Sequence, residues 1–401
     1  MAKAGAKTWG IGIIGAGNIS SAYLRLAPIF DRLEVRAIAD IVPEAAAARG
    51  AEFKVPVKTV DKLLSSRDID VVINLTIPAA HYEVTRDTIS AGKHAYSEKP
   101  LALTLSQGKK LRKLAKEKGK QIGCAPDTFL GGAHQFARML IEDGKVGRIT
   151  HGTCHVMSRG MEHWHPNPDF FFKKGAGPVL DIGPYYVTNL INLIGPAKRV
   201  AALSGSARKE RVITSKPRAG ETVTVETPTT IHALIEFENG AIVTLGASWD
   251  TFAHGHHNME LYGTEGSLFV PDPNFFAGDV VFGDKEGRRE KLRLWDHPLS
   301  LPNQDRPNGE KLANYRTAGL ADMLRAIEEK RRARCSLDVA LHALDIMTSI
   351  LKSGETGHFV DLTTTCDQPA LLMPEEARSL MRPAAPVAPK KPGAGNRSVR
   401  A

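Results

Sequence analysis

The chain has 401 residues, is 42% apolar and 24% charged, and carries a formal net charge of +9. That length exceeds what one core organises, so two domains are expected, and with no run of about eighteen apolar residues a membrane-spanning helix is excluded. The charge does not mark a nucleic-acid binder: Lys3, Lys7, Arg382, Lys390, Lys391, Arg397 and Arg400 place seven of the nine charges at the termini, which leaves two for the body and no basic recognition face.

The first apolar run, 11–14, leads into Gly15-Ala16-Gly17-Asn18-Ile19-Ser20. A glycine at the first position permits a tight turn after a strand. One at the second lets the backbone approach a pyrophosphate, which the N–H groups of the following helix then face. Ser20 stands where a third glycine is usual and is small enough for helix–strand packing. Asp40 ends a second apolar run, 35–39. A carboxylate there accepts from both ribose hydroxyls and repels a 2′-phosphate, so NAD is expected and NADP is disfavoured.

Further strands are predicted at 71–75, 94–97 and 121–124, with helices near 18–29, 43–50, 59–65, 80–91 and 105–118. This alternation requires a parallel sheet with right-handed crossovers. The third strand runs into Thr76-Ile77-Pro78, with His81 on the next helix, and the fourth into Glu98-Lys99-Pro100. Charges at strand ends of an open α/β sheet point into the ligand crevice. The basic stretch 109–120 has apolar residues at 111, 114 and 115, and reads as the solvated face of a helix. Asp127 follows the last of these strands and is expected to line a cleft.

From 126 the pattern changes. A helix at 131–143 is followed by strands at 148–158, 198–205, 221–226, 229–237, 240–249 and 257–263, with Glu238-Asn239-Gly240 as a hairpin turn. Strands without intervening helices predict a mostly antiparallel sheet with one face open to a partner subunit. Late helices are predicted near 316–330 and 336–353. The domains are therefore drawn as 1–125, 126–380 and a basic tail, 381–401. Prolines 383, 386, 389 and 392 recur every third residue of that tail; it is expected to be disordered. The start, MAKAGAKTWG, has no apolar signal region, and Cys124, Cys154, Cys335 and Cys366 have no metal or disulfide spacing; both features predict a cytoplasmic protein.

In this order and spacing, the 15–20 turn, Asp40, Thr76-Ile77-Pro78, His81 and Glu98-Lys99-Pro100 resemble the Gfo/Idh/MocA oxidoreductases, as does Gly175-Ala176-Gly177-Pro178-Val179-Leu180-Asp181-Ile182-Gly183. The resemblance spans about 9–362. It implies an α/β protein: an N-terminal Rossmann dinucleotide-binding domain and a C-terminal α/β domain with a large, open, mostly antiparallel sheet. It also implies NAD(P)-dependent chemistry on sugars or cyclitols, in homodimers or homotetramers formed through that sheet. Lys99, Asp181 and Tyr185 become the expected catalytic set. Gly15, Gly17, Asn18, Ile19, Asp40, Thr76, Ile77, Pro78, His81, Glu98 and Lys99 become the expected cofactor contacts. Many relatives have His where this chain has Tyr185; glucose–fructose oxidoreductase-like members have Tyr. Asp181 and Tyr185 are one helical turn apart if a helix begins near Asp181. A cation such as Lys99 beside a phenol favours its ionised form, which fits Tyr185 as a proton shuttle.

Between these motifs lie Arg159, His163, Trp164, His165 and Asn167, the planar polar and aromatic groups that bind sugars. With Lys99, Asp127, Asp181 and Tyr185, the first four are the expected substrate contacts. Asp250 with His254, His256 and His257 forms a second cluster; no metal is expected there, because the implied chemistry needs none. The expected reaction moves a hydride between nicotinamide and a ring carbon of a sugar, glycoside or cyclitol. The alternatives are a redox-neutral glycosidase or epimerase working by transient oxidation, and a non-catalytic NAD(H) sensor, which an intact Lys99, Asp181 and Tyr185 set disfavours.

Overall fold

A computed structural model describes residues 7–306 and 309–383. Its first sheet is built from β1 (Trp9–Ile14), β2 (Leu33–Ala39), β3 (Val71–Asn74), β4 (His94–Ser97) and β5 (Ile122–Cys124). All neighbours are parallel, in the order β2-β1-β3-β4-β5. β1 and β3 are buried along their whole length, which explains their unbroken apolar runs: a parallel sheet is covered on both faces. Crossover helices Ser20–Leu26, Pro43–Phe53, Pro78–Ser90 and Leu105–Lys118 follow the predicted spans closely. The last begins with a Thr104/Gln107 capping box and stops at Gly119. Strand order reverses between β1 and β3, and a crevice opens there outside the strands' C-terminal ends.

The second sheet has nine strands, in the order Arg289–Lys291, Val281–Gly283, Ser267–Val270, Met259–Gly263, Ile149–Met157, Ile242–Ser248, Thr230–Phe237, Ala197–Gly205, Val360–Asp361. Only Ile149–Met157 and Ile242–Ser248 pair in parallel. Helices Gly183–Ile194 and Leu337–Thr356 contribute to its core on one face. The other face leaves Leu203, Leu234 and Ile242 exposed. The strand expected at 221–226 is not part of this sheet. It shrinks to Thr222–Thr224 and pairs only with Glu210–Val212, because its single inward residue, Val223, packs with Phe172 and Trp249 instead.

The division at 125 is not a packing boundary. Residues of the helices Ala318–Glu329 and Pro374–Leu380 share one core with β1 and β3. Trp9 Nε1 donates to Glu328 at 3.0 Å, and Gly123 and Ser336 form a bridge. The proline-rich part of the tail lies outside the described residues. Among the described residues, no helix is long and apolar enough to cross a membrane.

Candidate active site

The Gly15–Ser20 turn has the shape a dinucleotide requires. Gly15 has φ +108°, and a Cβ there would lie 2.5 Å from the Leu75 backbone, so only glycine fits. A Cβ on Gly17 would meet nothing within 4 Å. That space lies at the loop itself, where a pyrophosphate approaches. Ser20 is fully buried and its hydroxyl donates to the Gly17 carbonyl at 2.6 Å, a contact a third glycine could not make. Asp40 accepts from the Ala16 amide (2.6 Å) and the Val42 amide (2.9 Å), one on each oxygen. A carboxylate has about four lone-pair sites, so acceptors remain for ribose hydroxyls. Ile41 (90% exposed) and Ile77 (69% exposed) leave apolar surface at the ends of β2 and β3. Asn18 is exposed and Ile19 half-buried at the start of the following helix. These residues fit NAD. Arg49, on the helix after β2, places a guanidinium nitrogen 3.4 Å from the Gly17 carbonyl. It was not expected, because nothing local distinguishes it from a surface arginine.

Asn74 folds the next turn. Its side chain accepts from the Thr76 amide and hydroxyl, and donates to the His81 carbonyl and the Thr85 hydroxyl. Pro78 then starts a helix, where its missing N–H costs nothing. Two expected cofactor contacts also have structural partners. His81 is 1% exposed and sets its ring nitrogens 2.7 Å from the Pro100 carbonyl and 3.0 Å from the Thr76 carbonyl; it is a strut between the two turns. Glu98 is buried, accepting from Tyr23 Oη at 2.8 Å and from the Lys99 amide at 3.0 Å. It fixes the backbone that presents Lys99. Both were expected as ligand contacts because sequence does not reveal burial.

Lys99 crosses from the first sheet to the second half of the chain. Its Nζ donates to the Asp181 carbonyl at 2.5 Å and to Asp181 Oδ1 at 2.9 Å, and lies 5.3 Å from the centre of the Tyr185 ring. Burial alone would lower its pKa. The Asp181 carboxylate, with Tyr185 and Glu98, overrides that and holds it above the usual lysine range. The expected single helix through Asp181 and Tyr185 is broken. Pro178–Asp181 ends at Ile182, and Gly183–Ile194 begins afresh with Pro184 in its first turn. The kink still leaves Asp181 and Tyr185 beside Lys99.

A fourth residue completes the cluster. Arg316 reaches the Tyr185 side chain from the segment before the helix Ala318–Glu329. Burial opposes its charge, but Tyr185, Glu98 and Asp127 more than compensate and raise its pKa. The next residue, Thr317, sits at φ +100°, a costly conformation for a β-branched side chain. Asp127 holds it there: Oδ2 accepts from the Thr317 and Gly319 amides, each at 3.0 Å. Asp127 is 1% exposed, so it positions Arg316 rather than lining the cleft as expected.

Burial, opposed by the Gly319 amide and Arg316, pushes the Asp127 pKa up to about 6. A carboxyl whose folded pKa is raised stabilises the fold fully only below its unfolded pKa, near 4, and loses that contribution as pH rises through 6. Asp127→Asn keeps an oxygen for the two amides and cannot ionise. Its unfolding free energy relative to wild type should therefore rise by up to about 3 kcal/mol between pH 4 and pH 7. Denaturant melts at both pH values check this; parallel curves would refute it.

The segment 159–165 is anchored from below. Arg211, 3% exposed, donates to Glu162 at 2.6 Å, to the carbonyls of Arg159 (3.2 Å) and Trp249 (2.9 Å), and to Asp250. Above this node Arg159 is exposed and Trp164 is 57% exposed. His163 is half-buried, with its Nδ1 enclosed and unpartnered. His165 packs edge-on against Trp164, Phe170 and Phe171 and accepts from the Asn167 amide. Asp250 is bound to Arg211, Thr229 and Thr230. His256 stacks on His155 with ring centres 3.9 Å apart. Among the described residues, no three His, Cys, Asp or Glu side chains converge as metal ligands.

A phosphate-binding turn, an acid at the second strand's end and a Lys–Asp–Tyr cluster across the crevice define an NAD-binding oxidoreductase. The chain belongs to the Gfo/Idh/MocA family: residues 9–125 match its oxidoreductase NAD-binding Rossmann model, and 134–269 match a GFO/IDH/MocA C-terminal domain. Levoglucosan dehydrogenase of Pseudarthrobacter phenanthrenivorans is 30% identical over 71% of this chain and 78% of its own. The 1,5-anhydro-D-fructose reductase of Ensifer adhaerens is 25% identical over 88% of this chain and 98% of its own. A levoglucosan dehydrogenase solved with NADH superposes with a TM-score of 0.75 at 24% identity, covering 89% of this chain and 99% of that one.

Proposed function

We propose that the protein moves a hydride between NAD and a ring carbon of a cyclic sugar derivative, a pyranose, anhydro sugar or cyclitol. The observation that carries this reading is the Tyr185 phenol flanked by two cations, Lys99 at 5.3 Å from its ring and Arg316. NAD supplies the hydride acceptor when bound. Tyr185 Oη, as phenolate, takes the proton from the substrate hydroxyl at the carbon being oxidised, whose C–O bond becomes C=O. Negative charge developing on that oxygen faces Lys99 and Arg316, fixed before the reaction begins. Asp181 holds the Lys99 ammonium; Asp127 and the strained Thr317 hold Arg316. Arg159, His163 and Trp164 offer polar groups and an aromatic surface to the sugar ring. Relatives named for anhydro-sugar substrates support testing those first. The decisive experiment follows NADH formation with levoglucosan, 1,5-anhydro sugars, free pyranoses and inositols, with mass analysis of the products. Turnover of one of these with stoichiometric NADH supports the reading; product without net NADH moves it to the redox-neutral elimination.

The open sheet face supports a homodimer or homotetramer. Leu203 (74% exposed), Leu234 (47%) and Ile242 (48%) lie on it, and exposed apolar residues grouped on one face mark interaction surfaces. Leu203→Glu with Leu234→Glu should yield a folded monomer in light-scattering measurements; an unchanged mass would exclude this face. The four free, buried cysteines are consistent with a reducing cytoplasm.

A further inference from the structure

The basic stretch 109–120 is more than a solvated face. Leu111 and Ala115 are buried beneath it. Arg112, Lys116 and Lys120 wall a cavity of about 530 Å³, closed on the far side by the 331–338 segment. That volume is typical of small-molecule sites, roughly 300–1,000 Å³. The cavity lies at the N-terminal end of β5, where Gln121 lines it and Gly123 bridges to Ser336. The dinucleotide crevice is at the C-terminal ends of the strands, so the two are separate.

We propose that this cavity binds a small polyanion of the phosphate-ester or pyrophosphate type. Six cationic side chains line it, Arg112, Lys116, Lys120, Arg331, Arg332 and Arg334, against the carboxylates Asp338 and Asp367. Arg331 and Arg334 are neutralised from behind by Asp322 and Glu376, and Arg332 pairs with Asp367. Arg112 has only a loose contact with Asp338, at 3.9 Å. Among the described residues the Lys116 and Lys120 ammonium groups make no ion pair or hydrogen bond, and Lys120 is half-buried. The twenty-residue helix Leu337–Thr356 also starts at this cavity, capped by Ser336, so its positive end adds to the cations. Two unpaired ammonium groups and a weakly held guanidinium in a concavity match an anion with several oxygens. A flat nucleic-acid or membrane surface could not enter it.

The test uses the full chain saturated with NADH, so that the dinucleotide crevice is filled. Inorganic pyrophosphate is titrated by calorimetry, with orthophosphate as a second arm. The expected result is one saturable site, tighter for pyrophosphate than for orthophosphate and weakened by salt. Lys116→Gln with Lys120→Gln should weaken it at least about tenfold while leaving NADH affinity unchanged. Both lysines are surface-reaching, so the variant folds, and its circular dichroism should match wild type. No saturable binding to the NADH-loaded protein, or a double variant within twofold of wild type, overturns the proposal.

Discussion

Replacing Lys99 with alanine is expected to cut turnover by about 100-fold or more, the scale of losing an acid–base partner, with NADH affinity close to wild type. Lys99 holds Asp181 through two contacts and stands 5.3 Å from the Tyr185 ring, yet the nucleotide loop is built without it. Asp40, Asn74 and Glu98 position that crevice through backbone amides and neighbouring side chains. The Asp181 carboxylate left behind is partly exposed, so water can solvate it and the fold survives. Stopped-flow NADH fluorescence and steady-state kinetics separate the two effects. Turnover within a few-fold of wild type would remove Lys99 from the chemistry.

Tyr185→Phe should have an effect of similar size. The ring is 8% exposed and packs in the core of the second sheet, and phenylalanine keeps that packing. Only the hydroxyl goes, and with it the proton acceptor proposed beside Lys99 and Arg316. Turnover should fall roughly 100-fold, with melting temperature and NADH affinity unchanged. Tyr185→His should recover part of the rate, because imidazole can carry the same proton. If the phenylalanine variant turns over like wild type, the hydroxyl carries no proton and His163 becomes the candidate base.

The first sheet was legible because β1 and β3 are unbroken apolar runs and most crossover helices carry a start signal, as at Thr104 and Pro78. The outer strands of the second sheet, such as Arg289–Lys291, were not. They are three or four residues long, and Arg289–Lys291 is exposed throughout, so no alternation marks it. The helix Gly183–Ile194 is buried on every side, so its stripe of Tyr185, Thr188, Asn189 and Asn192 marks no solvent face. In the site, Lys99, Asp181 and Tyr185 were found by motif. Arg316 has none: a hydrogen bond spanning 190 residues, from the Thr317 amide to Asp127, sets the segment that carries it. Polar residues beside such motifs often contact the ligand, and only packing shows that His81, Glu98 and Asp127 face inward.

The Arg211 node has a consequence for selectivity. A buried arginine shared by Glu162, Asp250 and two carbonyls ties the 159–165 segment to the sheet before any substrate arrives. The conformational entropy of that segment is lost on folding, so binding need not remove it again. If the sugar docks against it as proposed, such a surface would discriminate by shape: an axial hydroxyl in place of an equatorial one would meet a wall held in place by that node. Loosening the node, for instance with Arg211→Met, would broaden the range of sugars accepted while weakening the hold on the best one.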